Sequence, residues 1–180
     1  MNTPTYDELT THFTRLHHYA HLGSIVSWDR AANMPPKGND ARASAMAELA
    51  ALMHRLRTEP SLSDRIARAE QEPLSDHQRA NLREIRREWL QATALPESLV
   101  TRQELATSRC EHAWRTQRPA NDWKGFLDNW KPVVAIAREE AQLLSQQTGQ
   151  SKYDAMMDRF EPGMRSEQVS RVFGAVRQWL

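Results

Sequence analysis

Apolar residues in this chain recur in steps of three and four, and no segment alternates with period two over a useful length. Such spacing stacks side chains along one face of a helix and is incompatible with a half-buried sheet, so the chain reads as all-α. Tyr6, Leu9, Phe13, Leu16, Ala20 and Gly23 follow the pattern first, with Thr5 and Glu8 reading as a capping box at its start. The steps recur at Met46, Leu49, Met53 and Leu56, at Leu82, Ile85, Trp89 and Ala92, and at Leu99, Gln103, Ala106 and Cys110. Each run predicts a separate helix packing by a narrow stripe.

Helix starts are predicted where a short polar side chain can accept from free backbone N–H groups: Ser61 with Asp64, Ser75 with Gln78, Asn121 or Asp122 before Trp123, and Ser166. Pro60, Pro73, Pro96 and Pro119 fall between the stripes. Pro132 falls inside the stripe Trp123, Phe126, Trp130, Val133 and Ala137, which predicts a bend or restart near Asp128 to Lys131. With no repeat of fixed period and no Gly- or Ser-rich linker, residues 1–180 read as a single region of antiparallel helices joined by short turns. The last segment, SEQVSRVFGAVRQWL, predicts an amphipathic helix with Val169, Val172, Phe173 and Val176 on one side. It has no closing cap or polar tail, and the expectation is a chain that continues.

Leu, Ile, Val and Phe together number 32 of 180 residues, below the one-fifth or so typical of globular chains. A helical core this thin is expected to lean on another surface, either a partner chain or a missing half. Charge excludes one class of partner: 24 Lys and Arg stand against 23 Asp and Glu along the whole length, so no basic face follows a phosphate backbone. Apolar stretches are short, and MNTPTYDELTTHF lacks the basic flank and apolar run of a signal peptide. No membrane association is expected, and a cytoplasmic setting agrees with the lone Cys110.

Candidate chemistry is sparse. His17 and His21 lie one helical turn apart, the spacing that lets two imidazoles share a metal, but His18 stands where a HExxH helix has its glutamate. With no third ligand nearby, such a pair is more often a partly exposed polar face. His12, His54, His77 and His112 lie singly among charges and read as solvated, as do Glu70 to Glu72 and the Glu139-Glu140 pair. Cys110 holds a stripe position, where a small buried thiol is the ordinary occupant. No phosphate loop, GxSxG or CxxC occurs.

The segment SWDRAANMPPKG carries the most information. A carboxylate at the end of a helix opposes the macrodipole, so Asp29 calls for a cation, and Arg42 across the turn is the candidate. Met34-Pro35-Pro36 blocks further helix, Gly38 permits the reversal, and Asn39 or Asp40 caps the next helix. The expected result is a structural corner made of Trp28, Asp29, Pro35, Gly38 and Arg42, with Trp28 as its apolar anchor.

SWDRAANMPPKGNDARASAMAELAALMH resembles the start of the carboxypeptidase Taq family of zinc metallocarboxypeptidases, where a helix ending in a Trp-Asp pair is followed by a Met-Pro turn, a glycine and an Arg-bearing, alanine-rich helix. LSDHQRANLREIRREW, ALPESLV, PANDWKGFLDNW and YDAMMDRFEPGM match further, in order, so the resemblance covers essentially the whole chain. It implies a helical peptidase that removes single residues from peptide C-termini with broad specificity. In that family two histidines and a downstream glutamate hold zinc, and the glutamate of HExxH is the general base. No HExxH occurs here, so no catalytic or metal-binding residue carries over to this chain.

The resemblance therefore implies the N-terminal, groove-covering helices of a longer enzyme, without activity or bound zinc of its own. Its partners would be the C-terminal catalytic half of the same polypeptide, peptide substrates of the full enzyme and a second copy in a homodimer. The alternative is a stand-alone helical interaction or dimerisation module derived from that family.

Overall fold

The structure, a computed structural model, describes residues 2–179. Among them are eight α-helices and a short 3-10 turn, with no strand. The helices are α1 (Pro4–Ala32), α2 (Asn39–Arg57), α3 (Ser61–Ala69), α4 (Asp76–Thr93), α5 (Glu97–Gln117), α6 (Trp123–Thr148), α7 (Lys152–Met157) and α8 (Ser166–Arg177). Pro36–Gly38 forms the 3-10 turn before α2. The chain divides into two compact units, Met1–Ile136 and Ala137–Leu180. The division falls inside α6, and a boundary within a continuous helix leaves no linker composition for the sequence to display.

The first unit is organised around α1. Tyr6 and Leu9 of α1 pack with Leu62, Ile66 and Ala69 of α3, Leu74, and Leu82 and Ile85 of α4, while Phe13 and Trp89 close the edge. The α1 and α4 stripes thus bury as their spacing predicts. On α2 the expected stripe is displaced: Ala43, Ala47, Ala51 and His54 are buried, whereas Met46, Leu49 and Met53 are half-buried. The reason is the partner. α2 makes its most extensive contact with α5, and a row of alanines lets the two backbones approach where methionine and leucine would hold them apart.

Helix ends depart from the sequence reading more than helix bodies do. Thr5 and Glu8 form no capping box; Thr5 lies inside α1, and the Glu72 carboxylate accepts from the N–H groups of Thr5 at 2.9 Å and Tyr6 at 3.0 Å. Glu72 is therefore not a solvated face but a cap delivered from 67 residues away, at the positive end of the α1 dipole. Ser61 is likewise no cap: Pro60 holds the cap position, and the Ser61 hydroxyl turns back to Glu59 at 2.6 Å. Ser75 and Gln78 do form the expected capping box, and the Asp122 carboxylate accepts from Gly125 N–H at 2.9 Å. At α8 the roles reverse: Ser166 donates its backbone N–H to Asp154 Oδ1 at 2.8 Å.

α6 passes through Pro132 as one helix, without the restart. Its aromatic stripe does not enter the core: Trp123 is 66% and Trp130 43% exposed. Ile136, Glu140, Ala141 and Leu144 are the buried positions further along. Glu140 thus joins Glu72 as a misread acid, buried and paired with Arg159 within the second unit.

Candidate functional site

The Trp-Asp corner is held by several hydrogen bonds and ion pairs. α1 does not stop at Trp28-Asp29 but continues to Ala32, because its terminal carbonyls find donors. Asp29 C=O accepts from the N–H groups of Asn33 at 2.8 Å and Met34 at 2.9 Å, and Arg30 C=O accepts from Arg115 Nη2 at 2.9 Å. Arg42 Nε donates to Asp29 Oδ2 at 2.6 Å, so the carboxylate near the negative end of the helix is offset by a cation from α2. Arg30 points the other way, to Glu111 at 2.9 Å and Glu104 at 3.8 Å on α5. Adjacent Asp and Arg thereby tie the end of α1 to two different helices.

Gly38 serves this arrangement by its size. Its φ of −84° suits any residue, so the turn needs no left-handed backbone there. A Cβ at that point would lie 2.5 Å from Arg42 Nη1 and 3.1 Å from Met34 Cγ, in the path of the guanidinium that reaches Asp29. Gly38 also occupies the cap position of α2. Asn39 caps nothing there; it is buried, and its Oδ1 accepts from the buried Ser108 hydroxyl at 3.3 Å. Trp28 is not the anchor its composition suggests, being 64% exposed beside exposed Leu22 and Ile25 on the same helix. Pro35 is exposed and supplies the carbonyl that Gly38 N–H meets at 2.8 Å.

The remaining candidates scatter. His17 and His21 are both exposed on α1. Among the described residues no group of three His, Cys, Asp or Glu side chains converges as metal ligands. Cys110 is buried, and burial pushes its thiol above the ordinary range, away from nucleophilic chemistry. Two histidines read as solvated are in fact buried, His12 and His54. His12 Nε2 meets Leu56 C=O at 2.9 Å near the end of α2, and burial lowers the His54 pKa despite the pull of Glu97.

A cleft lies between α5 and the start of α6. Trp114, Trp123 and Phe126 line a cavity of about 280 Å³ with Gln117, Arg118 and Asp122. Trp123 stacks on Phe126 at 5.6 Å, and Phe126 on Trp130 at 5.8 Å. The signal was present as a helical stripe, but spacing alone cannot say whether a stripe faces a core or water.

Buttressed helix ends and uncovered aromatic faces are the chief features of this helical chain. The sequence pattern of the carboxypeptidase Taq (M32) metallopeptidase family matches residues 8–180, and the chain belongs to that family. Thermostable carboxypeptidase 1 of Thermus thermophilus is 35% identical over 173 residues, covering 89% of this chain and 34% of the relative. The solved structure of Trypanosoma cruzi metallocarboxypeptidase 1 superposes with a TM-score of 0.80 at 41% identity, over 99% of this chain and 36% of that one. The M32 carboxypeptidase of Deinococcus radiodurans R1 shares the fold at a TM-score of 0.74 and 23% identity. The chain spans about a third of the length of the relatives it matches.

Proposed function

We propose that these residues are the N-terminal, groove-walling helices of a metallocarboxypeptidase that releases single C-terminal residues from peptides with broad specificity. The observation that supports this most directly is a family match along nearly the whole chain combined with coverage of only about a third of the relatives. Zinc in the complete enzyme is held by residues outside this stretch, and the 180-residue chain alone is inactive. Its own contribution is architectural: Asp29 with Arg42, and Arg30 with Glu104 and Glu111, fix the end of α1 against α2 and α5 and so set the wall of the substrate groove. The complete enzyme is cytoplasmic and homodimeric in this reading. Among the described residues no helix is long and apolar enough to cross a membrane.

The test is the intact mass and zinc content of the gene product isolated from its native cells. A product much heavier than 20.8 kDa with about one zinc per chain is expected, as a single catalytic site requires. A zinc-free product of 20.8 kDa would replace the proposal by the stand-alone interaction module. Chelator-sensitive release of C-terminal amino acids by the pure 180-residue chain would refute its inactivity.

A further inference from the structure

α8 is a helix fastened at its start and uncovered along its length. Asp154 Oδ1 accepts from Ser166 N–H at 2.8 Å, and Gln168 Oε1 accepts from Arg165 N–H at 2.9 Å, so the first turn is fixed. Beyond that turn no residue of the helix is buried. Val169, Val172, Phe173 and Val176 repeat at the spacing of a helix that docks by one face, and Trp179 follows in step. Phe173 is 67% and Trp179 89% exposed. The paired Glu167 and Arg171 are well exposed too, a charged and solvated complement to that apolar row.

A 12-residue helix without packing is marginal in water, since isolated helices below about 12–15 residues rarely hold. Burial of the apolar row therefore needs an opposing surface. The family match runs through α8, so the helix belongs to the shared fold, and about two thirds of the relatives' length lies outside the matched stretch. We infer that the Val172, Phe173, Val176 and Trp179 face of α8 is a docking surface for an apolar helix face in that remaining two thirds of the same polypeptide. Phe173 and Trp179 are the anchors, being the large aromatic groups on the row. The inference rests on the proposed function and adds to it the surface by which this region joins the catalytic part.

Hydroxyl-radical labelling read by mass spectrometry tests it, on the 180-residue chain and on the product from native cells. Phe173 and Trp179 should label readily in the short chain and lose that labelling in the longer product. A longer product in which both still label overturns this inference and leaves the proposed function standing. A product of 180 residues overturns both. Protection that disappears on dilution to monomer assigns the face to a second copy and also overturns the inference. As an independent check, Phe173→Asp should leave the melting temperature of the short chain unchanged and lower that of the longer product. Equal effects on the two, or none on either, would count against α8 docking.

Discussion

In the unit up to Ile136, Leu9, Leu62 and Leu99 are fully buried, and residues from three helices and the loop before α4 close one apolar cluster. In the unit from Ala137, the buried apolar positions among the described residues are Ala141, Leu144 and Ala155, while Tyr153, Phe160, Phe173 and Trp179 are exposed. Both satisfy helix ends with carboxylates from elsewhere, Glu72 on α1 and Asp154 on α8. Backbone capping is thus solved within each unit, whereas among the described residues the closed apolar cluster lies in the first, which still leaves Leu22, Ile25, Trp28 and the α6 aromatics exposed. Polar ends can be satisfied by one well-placed side chain, but an apolar face needs a whole opposing surface.

The comparison can be broken most sharply in the first core. Leu62→Ala removes a side chain with no exposure at all, and should cost about 2 to 5 kcal/mol by urea denaturation. A loss near that of a surface substitution would mean that the first unit is no better packed than the second. Arg159→Ala should cost about 1 to 2 kcal/mol by removing one charged partner of the buried Glu140, a figure tempered by the partial exposure of Arg159. Hydrogen exchange should place that loss around Ala141 and Leu144 and leave α3 and α4 protected; a loss spread over both units would erase the distinction.

Asp29→Ala should cost about 1 kcal/mol, since the pair with Arg42 is only partly shielded from water. Gly38→Ala should have a similar effect by displacing the guanidinium, and the two changes combined should cost less than their sum. Strict additivity in a double-mutant cycle would separate Gly38 from the ion pair. Trp28→Ala should change stability of the short chain by less than about 0.5 kcal/mol, as an exposed side chain does.

Acid should sharpen the same contrast in two stages. His54 sits below its ordinary value of 6.5 because of burial, so its contribution is present above that value and lost as pH falls toward the lower folded one. Residues 137–180 contain no histidine, so only the first unit should weaken in this first stage. Burial works to raise Glu72, but the N–H bonds of Thr5 and Tyr6 outweigh it and hold its carboxyl below 4.5. Asp154 is held below 3.8, chiefly by the Ser166 N–H. Both caps contribute fully above those ordinary values and fail as pH falls through the lower folded ones. Exchange at Thr5, Tyr6 and Ser166 should therefore rise together in the second stage; persistence of either cap in strong acid would contradict its assignment.

Sequence periodicity and local chemistry determined the all-α class, the α1 and α4 faces, the Ser75-Gln78 box, the Asp122 cap and the burial of Cys110. Each depends on residues within a few positions of one another, which a linear pattern records. Tertiary structure alone decided the Glu72 cap, the Glu140 pairing, the alanine face of α2 and the outward turn of the α6 aromatics. Those depend on what approaches from far along the chain. A carboxylate looks equally solvated, and an apolar stripe equally buried, until the opposing surface is known.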